Sequence, residues 1–526
     1  MDLESPLVST FGAIAITTTL LAGVAIWSLF FSGPKTFDYP IYGAEDEKPS
    51  TLMRKFQHQA DIILADAYKK FRGGIFQLYT PDGVRLFLPR KYAQELKGYD
   101  REELSGMKAL ADRHLGQYTT IDHESPYMLN AIKLDLNQKL GQFVTDVQNE
   151  VAHVVDATFP ACEGNISFYL FMNHNLIIHA LLDWTPVNLN DLLLRIISQA
   201  SARIFVGPSL NRNKEWLDMS EKFATDVMIG GEKLKGWRPI LRPIAQYLIP
   251  EVRRIQADHE EAYQMLRPVL EARDKEQAEI GDAYMKPNDM LEWIRTRATK
   301  NNDKSVDYRE QAKIQLLTAT AAIHTTRLAT LHVLFDLAAR PEYIEPLREE
   351  LQEVLAETNG VLTKQTLTHL KKLDSFMKES QRHNPPSLAT FQRKVLTPVK
   401  LSNGLELPVG VIVQCNTGVL DEVPESWGDP HAFDGLRFYK LRSKPEDAHK
   451  YQFASISLES MEFGLGKDAC PGRFFATNQI KIILAHLIFH YDLALEKPEA
   501  GRPKNFMFEV NVLADPTAKL LLKRRS

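Results

Sequence analysis

The chain has 526 residues, 44% of them hydrophobic, and a formal net charge of −4. That length is ample for a large buried core, and the near-neutral charge argues against nucleic acid as a partner. Its cysteines, Cys162, Cys415 and Cys470, show no pairing pattern. This excludes a disulfide-stapled secreted scaffold and suits a reducing compartment.

No charged residue occurs from Pro6 to Pro34. An apolar helix over about residues 8–31 is long enough to cross a hydrocarbon layer of about 30 Å. Asp2 and Glu4 precede it, whereas Lys35, Arg54, Lys55, Lys69, Lys70 and Arg72 follow. That bias places the C-terminal bulk on the cytoplasmic side. A cleaved signal peptide is the alternative, but the start is acidic and the apolar run is long. The expectation is an anchor at residues 1–33 and one domain at residues 34–526, since no repeat or low-complexity linker divides the remainder.

Pro34 to Pro40 reads as a short stiff linker. The runs Ile75–Tyr79 and Val84–Phe87 flank Pro81-Asp82-Gly83, a hairpin signal. Most of residues 90–380 reads as helix. Charges dominate Ala272 to Gln311, which predicts an exposed connector between helices. A long helix follows from Arg309 to about Ala339, stopped at Arg340-Pro341. Along it, Ile314, Thr318 and Ala322 share one face, and Leu317, Ala321 and Thr325 another. Around Ala321 and Ala322 the lining is small and apolar with one hydroxyl, that of Thr325, suited to a bulky apolar ligand. A mid-helix threonine such as Thr325 can equally bond back to the carbonyl four residues earlier. His324 can relay protons near neutral pH or sit in the core against a carbonyl.

Glu379 and Arg382 lie three apart on a helix face, and Asn384-Pro385-Pro386 ends that helix. Leu388 and Ala389 come next, then Arg393 on a strand. Strand-rich patches are expected near Lys394–Val413 and Phe506–Leu522, with Phe433 to Phe438 between them carrying Arg437.

Cys470 lies in Phe463-Gly-Leu-Gly466-Lys-Asp-Ala-Cys470-Pro-Gly472-Arg. Glycines let the backbone pass close to something bulky, and a helix begins at Arg473. Its N-terminal dipole end favours a thiolate, which suits a ligand to iron. A buried apolar cysteine, a zinc ligand and a nucleophile with a base brought near in space are the other readings.

The spacing F-x-x-G-x-x-x-C-x-G resembles the haem-binding signature of the cytochrome P-450 haem-thiolate monooxygenases, and Pro-Gly-Arg-Phe-Phe-Ala looks like the fungal membrane-bound branch. The resemblance implies a mainly α fold with a small β region, the cytochrome P-450 fold, preceded by one transmembrane helix. It implies haem b (iron protoporphyrin IX) with Cys470 as axial ligand, cradled by Phe463, Gly466 and Gly472. Arg393 and Lys133 would meet the haem propionates; Lys133 stands where the family has the arginine of Trp-x-x-x-Arg, with Leu129 in the tryptophan place. Glu379, Arg382 and Arg437 would form a structural charge cluster. Thr325, with His324 in the place of the usual acid, would manage proton delivery. Ile314, Leu317, Thr318, Ala321, Ala322, Leu388 and Ala389 would line the substrate pocket. Asp468, where the family usually has a cation, has no account from sequence.

The implied activity is O2-dependent hydroxylation. Electrons would come from NADPH through a separate flavoprotein reductase, with cytochrome b5 as a further partner. The expected location is the endoplasmic reticulum membrane, with lipid as a partner of the anchor. Ala-Ala-Ile-His-Thr-Thr looks like fungal terpenoid oxidases of the gibberellin and indole-diterpene type, which points to a terpenoid or meroterpenoid substrate, oxidised once or repeatedly. The alternatives are a haem-thiolate isomerase or dehydratase working without O2, and a non-catalytic haem-binding protein.

Overall fold

The computed structural model describes residues 36–71, 73–159, 184–416, 420 and 423–525. The expected anchor and Cys162 lie outside these. Among the described residues, no helix is long and apolar enough to cross a membrane.

The architecture is mainly helical with small sheets. The longer helices are α1 (Pro49–Phe71), α2 (Gly106–Arg113), α3 (Asn137–Thr158), α4 (Leu189–Phe205), α5 (Lys214–Lys235), α6 (Pro250–Ile280), α7 (Met290–Lys300), α8 (Tyr308–Ala338), α9 (Ile344–Ala356), α10 (Lys371–His383) and α11 (Arg473–His490). In α1, Leu52, Phe56, Ala60, Ile63, Leu64 and Ala67 form one buried stripe at helical spacing. In contrast, α8 is buried nearly all round, because α4, α5, α6, α10 and α11 all pack on it. Asp307 caps its start by accepting from the Glu310 amide, and Pro341 follows its end.

The hairpin forms from β1 (Phe76–Thr80) and β2 (Gly83–Leu88). With β3 (Leu104–Ser105), β5 (Phe391–Val395) and β8 (Ile412–Cys415) it makes a five-stranded sheet in the order β1-β2-β8-β5-β3. The β2–β8 pair is parallel and the others antiparallel. A short strand, β4 (Thr185–Val187), joins β12 (Leu520–Arg524) and β9 (Tyr491–Leu495). Two hairpins complete the set, β6 (Val399–Lys400) with β7 (Glu406–Leu407) and β10 (Phe506–Phe508) with β11 (Asn511–Leu513).

One expectation is corrected. The charged stretch from Ala272 to Gln311 is mostly helix, shared by the end of α6, all of α7 and the start of α8, with connectors only at 281–289 and 301–307. Its charges pair between and within helices: Arg273 with Asp289 at 2.5 Å, Arg295 with Asp274 at 2.5 Å, and Arg295 with Glu292 of its own helix at 3.1 Å. Beneath them Leu291, Trp293 and Ile294 are buried, so charge density marked a helix surface and not a loop.

Candidate haem-thiolate site

The cysteine turn is built by backbone. Gly464 and Gly466 take φ of 75° and 73°, a region that side chains disfavour. The Cys470 amide then donates to the Phe463 carbonyl at 2.8 Å. A Cβ on Gly466 would lie 2.7 Å from Lys97 Cβ and 2.8 Å from the Lys97 carbonyl oxygen, so glycine permits a close approach. A Cβ on Gly472 would meet nothing within 4 Å, which leaves open space beside the turn. Phe463 is half-buried and stands edge-on to Phe453, with ring centroids 5.4 Å apart.

Burial pushes the Cys470 thiol pKa up. The Gly472 amide, the Arg473 guanidinium and the Arg473 amide oppose it by stabilising the anion. A single thiol with such donors at the head of α11, beside open space, fits a thiolate ligand to one metal centre. Zinc fits less well: among the described residues no group of His, Cys, Asp and Glu side chains could hold a metal ion. Cys415 is buried in β8, with its thiol facing the Pro89 carbonyl at 3.9 Å.

The long helix α8 supplies the second wall. Ala321 and Thr325, one turn apart, are exposed in the middle of an otherwise core helix. The Thr325 hydroxyl donates to the Ala321 carbonyl at 2.7 Å. Thr318 and Thr330 make the same bond to Ile314 and Thr326, so this bond alone does not distinguish Thr325; its exposure does. His324 Nε2 donates to the Glu221 carbonyl of α5 at 3.3 Å. Burial first, then the nearby Arg327 charge, lower its pKa to about 4, so the ring is neutral at physiological pH.

The expected pocket residues divide. Ala321 faces open space, and Ala322 and Leu388 are half-buried. Ile314, Leu317 and Thr318 are buried in the core, toward the end of α8 crossed by neighbouring helices, and Ala389 is buried beside Phe56, Phe76 and Phe87.

The charge cluster is fully formed. Arg382 on α10 donates to both oxygens of Glu379, at 2.9 and 2.8 Å, and Arg437 Nε lies 3.2 Å from each. The Asp434 amide adds a bond at 3.0 Å. Arg437 also donates to the carbonyls of Ala432 at 2.6 Å and Asp429 at 2.9 Å. Glu379 has no exposed surface, yet its pKa is lowered to about 2: burial, the largest single influence, is outweighed by hydrogen bonds from Arg382 and His383, the Arg382 charge and the Asp434 amide.

Lys133 is exposed on the π-helical turn Ala131–Leu136 that leads into α3. One turn on, Asn137 Nδ2 donates to the Pro471 carbonyl at 3.2 Å, which ties this helix to the cysteine turn. Arg393 is 5% exposed and donates to the carbonyls of Gln392 at 2.7 Å and Leu465 at 2.8 Å. Its Nε lies 3.2 Å from Asp468 Oδ2. Asp468 also accepts from Arg101 Nε at 2.7 Å and the Gly106 amide at 3.0 Å. Arg101, Gly106 and Asn137 carry no motif of their own; the misfit of Asp468 was the one sequence signal pointing toward Arg101 and Gly106.

The Cytochrome P450 family model matches residues 172–522. The chain is 57% identical over 517 residues, 98% of each chain, to the cytochrome P450 monooxygenase braC of Annulohypoxylon truncatum. It is 31% identical to the cytochrome P450 monooxygenase paxP of Penicillium paxilli, over 91% of this chain and 88% of that one. The structure of retinoic acid bound cyanobacterial CYP120A1 aligns with a TM-score of 0.66 at 17% identity, covering 94% of this chain and 100% of that chain. The last likeness carries the fold alone. Together with the cysteine turn and the sequence relatives, these findings place the chain in the cytochrome P450 family as a fungal-type monooxygenase.

Proposed function

We propose that this protein uses haem b, held through Cys470, to hydroxylate an apolar secondary metabolite of terpenoid or meroterpenoid type, at one position once or repeatedly. NADPH electrons arrive through a separate flavoprotein reductase, with cytochrome b5 as a second donor. Residues 8–31 anchor the protein in the endoplasmic reticulum membrane, with residues 34–526 as one cytoplasmic domain.

The bound haem would supply the oxygen chemistry. The chain's own residues do the rest. Cys470 offers one sulfur whose negative charge the Gly472 and Arg473 amides share. Phe463, Gly466 and Gly472 shape the turn that carries it. Arg393 and Lys133 are the cations for the haem carboxylates. Glu379, Arg382 and Arg437 lock α10 to the loop at 429–434, keeping the framework rigid. On α8, Ala321 and Ala322 keep room for substrate, and the Thr325 hydroxyl is placed there to hold or pass a proton. His324, neutral beside it, donates to α5.

The observation that carries the reading is the Cys470 thiol at the head of α11, with amides turned toward it and open space beside Gly472. Its test is spectroscopic. The reduced CO complex of the holoprotein should absorb at the long wavelength typical of thiolate-bound haem, and Cys470→Ala should lose that band. Candidate terpenoids should move the Soret band to shorter wavelength. If only fatty acids or polar amino-acid derivatives do so, the terpenoid assignment fails and the monooxygenase assignment stands.

A further inference from the structure

Asp468 stands two residues before the proposed haem ligand, and its carboxylate is sequestered by three partners. Arg101 Nε reaches Oδ1 at 2.7 Å, Arg393 Nε reaches Oδ2 at 3.2 Å, and the Gly106 amide donates to Oδ2 at 3.0 Å. Gly106 is the first residue of α2, so Asp468 caps that helix from another part of the chain, where the positive dipole end favours an anion. Around it the connector 97–106 lies tightly on the cysteine turn. Arg101 Nη2 donates to the Lys467 carbonyl at 2.9 Å, and Lys467 pairs with Asp100. Gly466 packs on the Lys97 backbone, and a Cβ on Gly106 would lie 2.8 Å from Asp468 Oδ2 and 3.2 Å from Arg393 Nη1.

Two arginines against one carboxylate leave this cluster with a net positive charge. Arg393 Nη1 and Nη2 each bond one carbonyl, so each retains a further N–H for another acceptor. With Asp468 on its Nε edge, the guanidinium is held in one orientation, and a fixed fork suits a second carboxylate better than a mobile one.

We propose that Asp468 is a positioning residue for haem retention: it fixes Arg393 toward a haem propionate and clamps the 97–106 connector and the start of α2 onto the cysteine turn. The inference rests on the haem-thiolate reading above. It explains how an acid is tolerated in that place: its charge is turned into the two arginines and the helix end, so the cluster still presents a cation.

The opposing view, that Asp468 repels a propionate, predicts the opposite sign. The experiment uses haem-loaded full-length protein and follows transfer of haem to excess apomyoglobin, with the iron reduction potential measured in parallel. Asp468→Asn should speed haem loss by about tenfold or more, as expected when charge-assisted bonds to a buried arginine are lost, and should move the potential to a more positive value. Gly106→Ala keeps every charge but displaces the carboxylate; it should also speed haem loss, with a smaller change in potential. Arg101→Gln, made at the more exposed arm, should also speed haem loss, adding little to Asp468→Asn in the double variant, while moving the potential to a more negative value. Should Asp468→Asn fail to fold, the Gly106→Ala and Arg101→Gln rates decide. Haem loss that is unchanged or slower in the folded variants overturns the proposal while leaving the haem reading intact. A wild-type protein with no thiolate-haem CO band overturns both.

Discussion

Glu379 holds a full negative charge with no exposed surface, and its partners leave no doubt about which state folds. Its pKa is depressed to about 2, so the folded state binds the proton more weakly than the unfolded chain. The resulting stability is complete above about pH 4.5 and is lost as the pH falls toward 2. Glu379→Gln should cost about 3–5 kcal/mol in chemical denaturation, because it strands two buried guanidinium groups. A cost below about 1 kcal/mol would mean that Arg382 and Arg437 find other acceptors. Proton delivery is the second test at this scale. Thr325→Ala should divert NADPH electrons to hydrogen peroxide while haem stays bound. His324, with its pKa lowered to about 4, destabilises the fold as the pH falls from about 6.5 to 4, because the unfolded chain takes the proton first. His324→Gln should remove that loss and leave the coupling of NADPH to product unchanged between about pH 6 and 8. A changed profile there would assign His324 a role in proton delivery. Glu379 and Arg382 were legible because they are three apart on one helix; that Asp468 faces Arg101 was not, since 367 positions separate them.

Elements with local signals were readable, and elements set by long-range charge were not. An apolar α8 bounded by Asp307 and Pro341, a hairpin marked by Pro81-Asp82-Gly83 and a helix starting after Pro471-Gly472 each follow from neighbouring residues. The start of α7 was hidden because Asp289 caps it while pairing with Arg273 of α6, a partner sixteen positions back. The β10–β11 hairpin lies in the strand-rich patch expected near Phe506–Leu522, but the charges that hold its turn come from far earlier in the chain. Its turn residue Glu509 adopts φ of 50° and is buried, with Arg113 of α2 at 3.5 Å and Lys235 of α5 at 3.4 Å. Lys235 also pairs with Glu232 at 2.6 Å, and Arg113 donates to Asn511 at 3.0 Å. This cluster joins a hairpin near the C-terminus to two helices far earlier in the chain. Glu509→Gln leaves both cations without their shared carboxylate and should destabilise the protein by about 3 kcal/mol. Hydrogen exchange should rise first at 506–513 and at the end of α5. Uniform exchange across the molecule would show that Glu509 does not act as a local clasp.

At the scale of the whole molecule, buried members of the apolar clusters run from Phe56 to Leu522. The largest gathers α3, α4, α5, α8, α10 and α11 around one interior, and the cysteine turn, α8 and the charge cluster are all attached to it. A smaller cluster that includes Leu86 and Val413 of the five-stranded sheet has half-buried Phe37 and Tyr39 packed against it. The proposed separation of membrane anchor and catalytic domain is tested by truncation. Deleting residues 1–33 should yield a protein that folds cooperatively, binds haem and gives the same reduced CO band as the full chain. The proposed cytoplasmic orientation, argued from the positive residues after Pro34, requires that a glycosylation reporter fused at the C-terminus of the full chain stay unmodified in the endoplasmic reticulum. The two results bear on different claims. A truncated protein that aggregates without haem would tie the first 33 residues to the core, whereas a glycosylated reporter would reverse the orientation and leave the fold untouched.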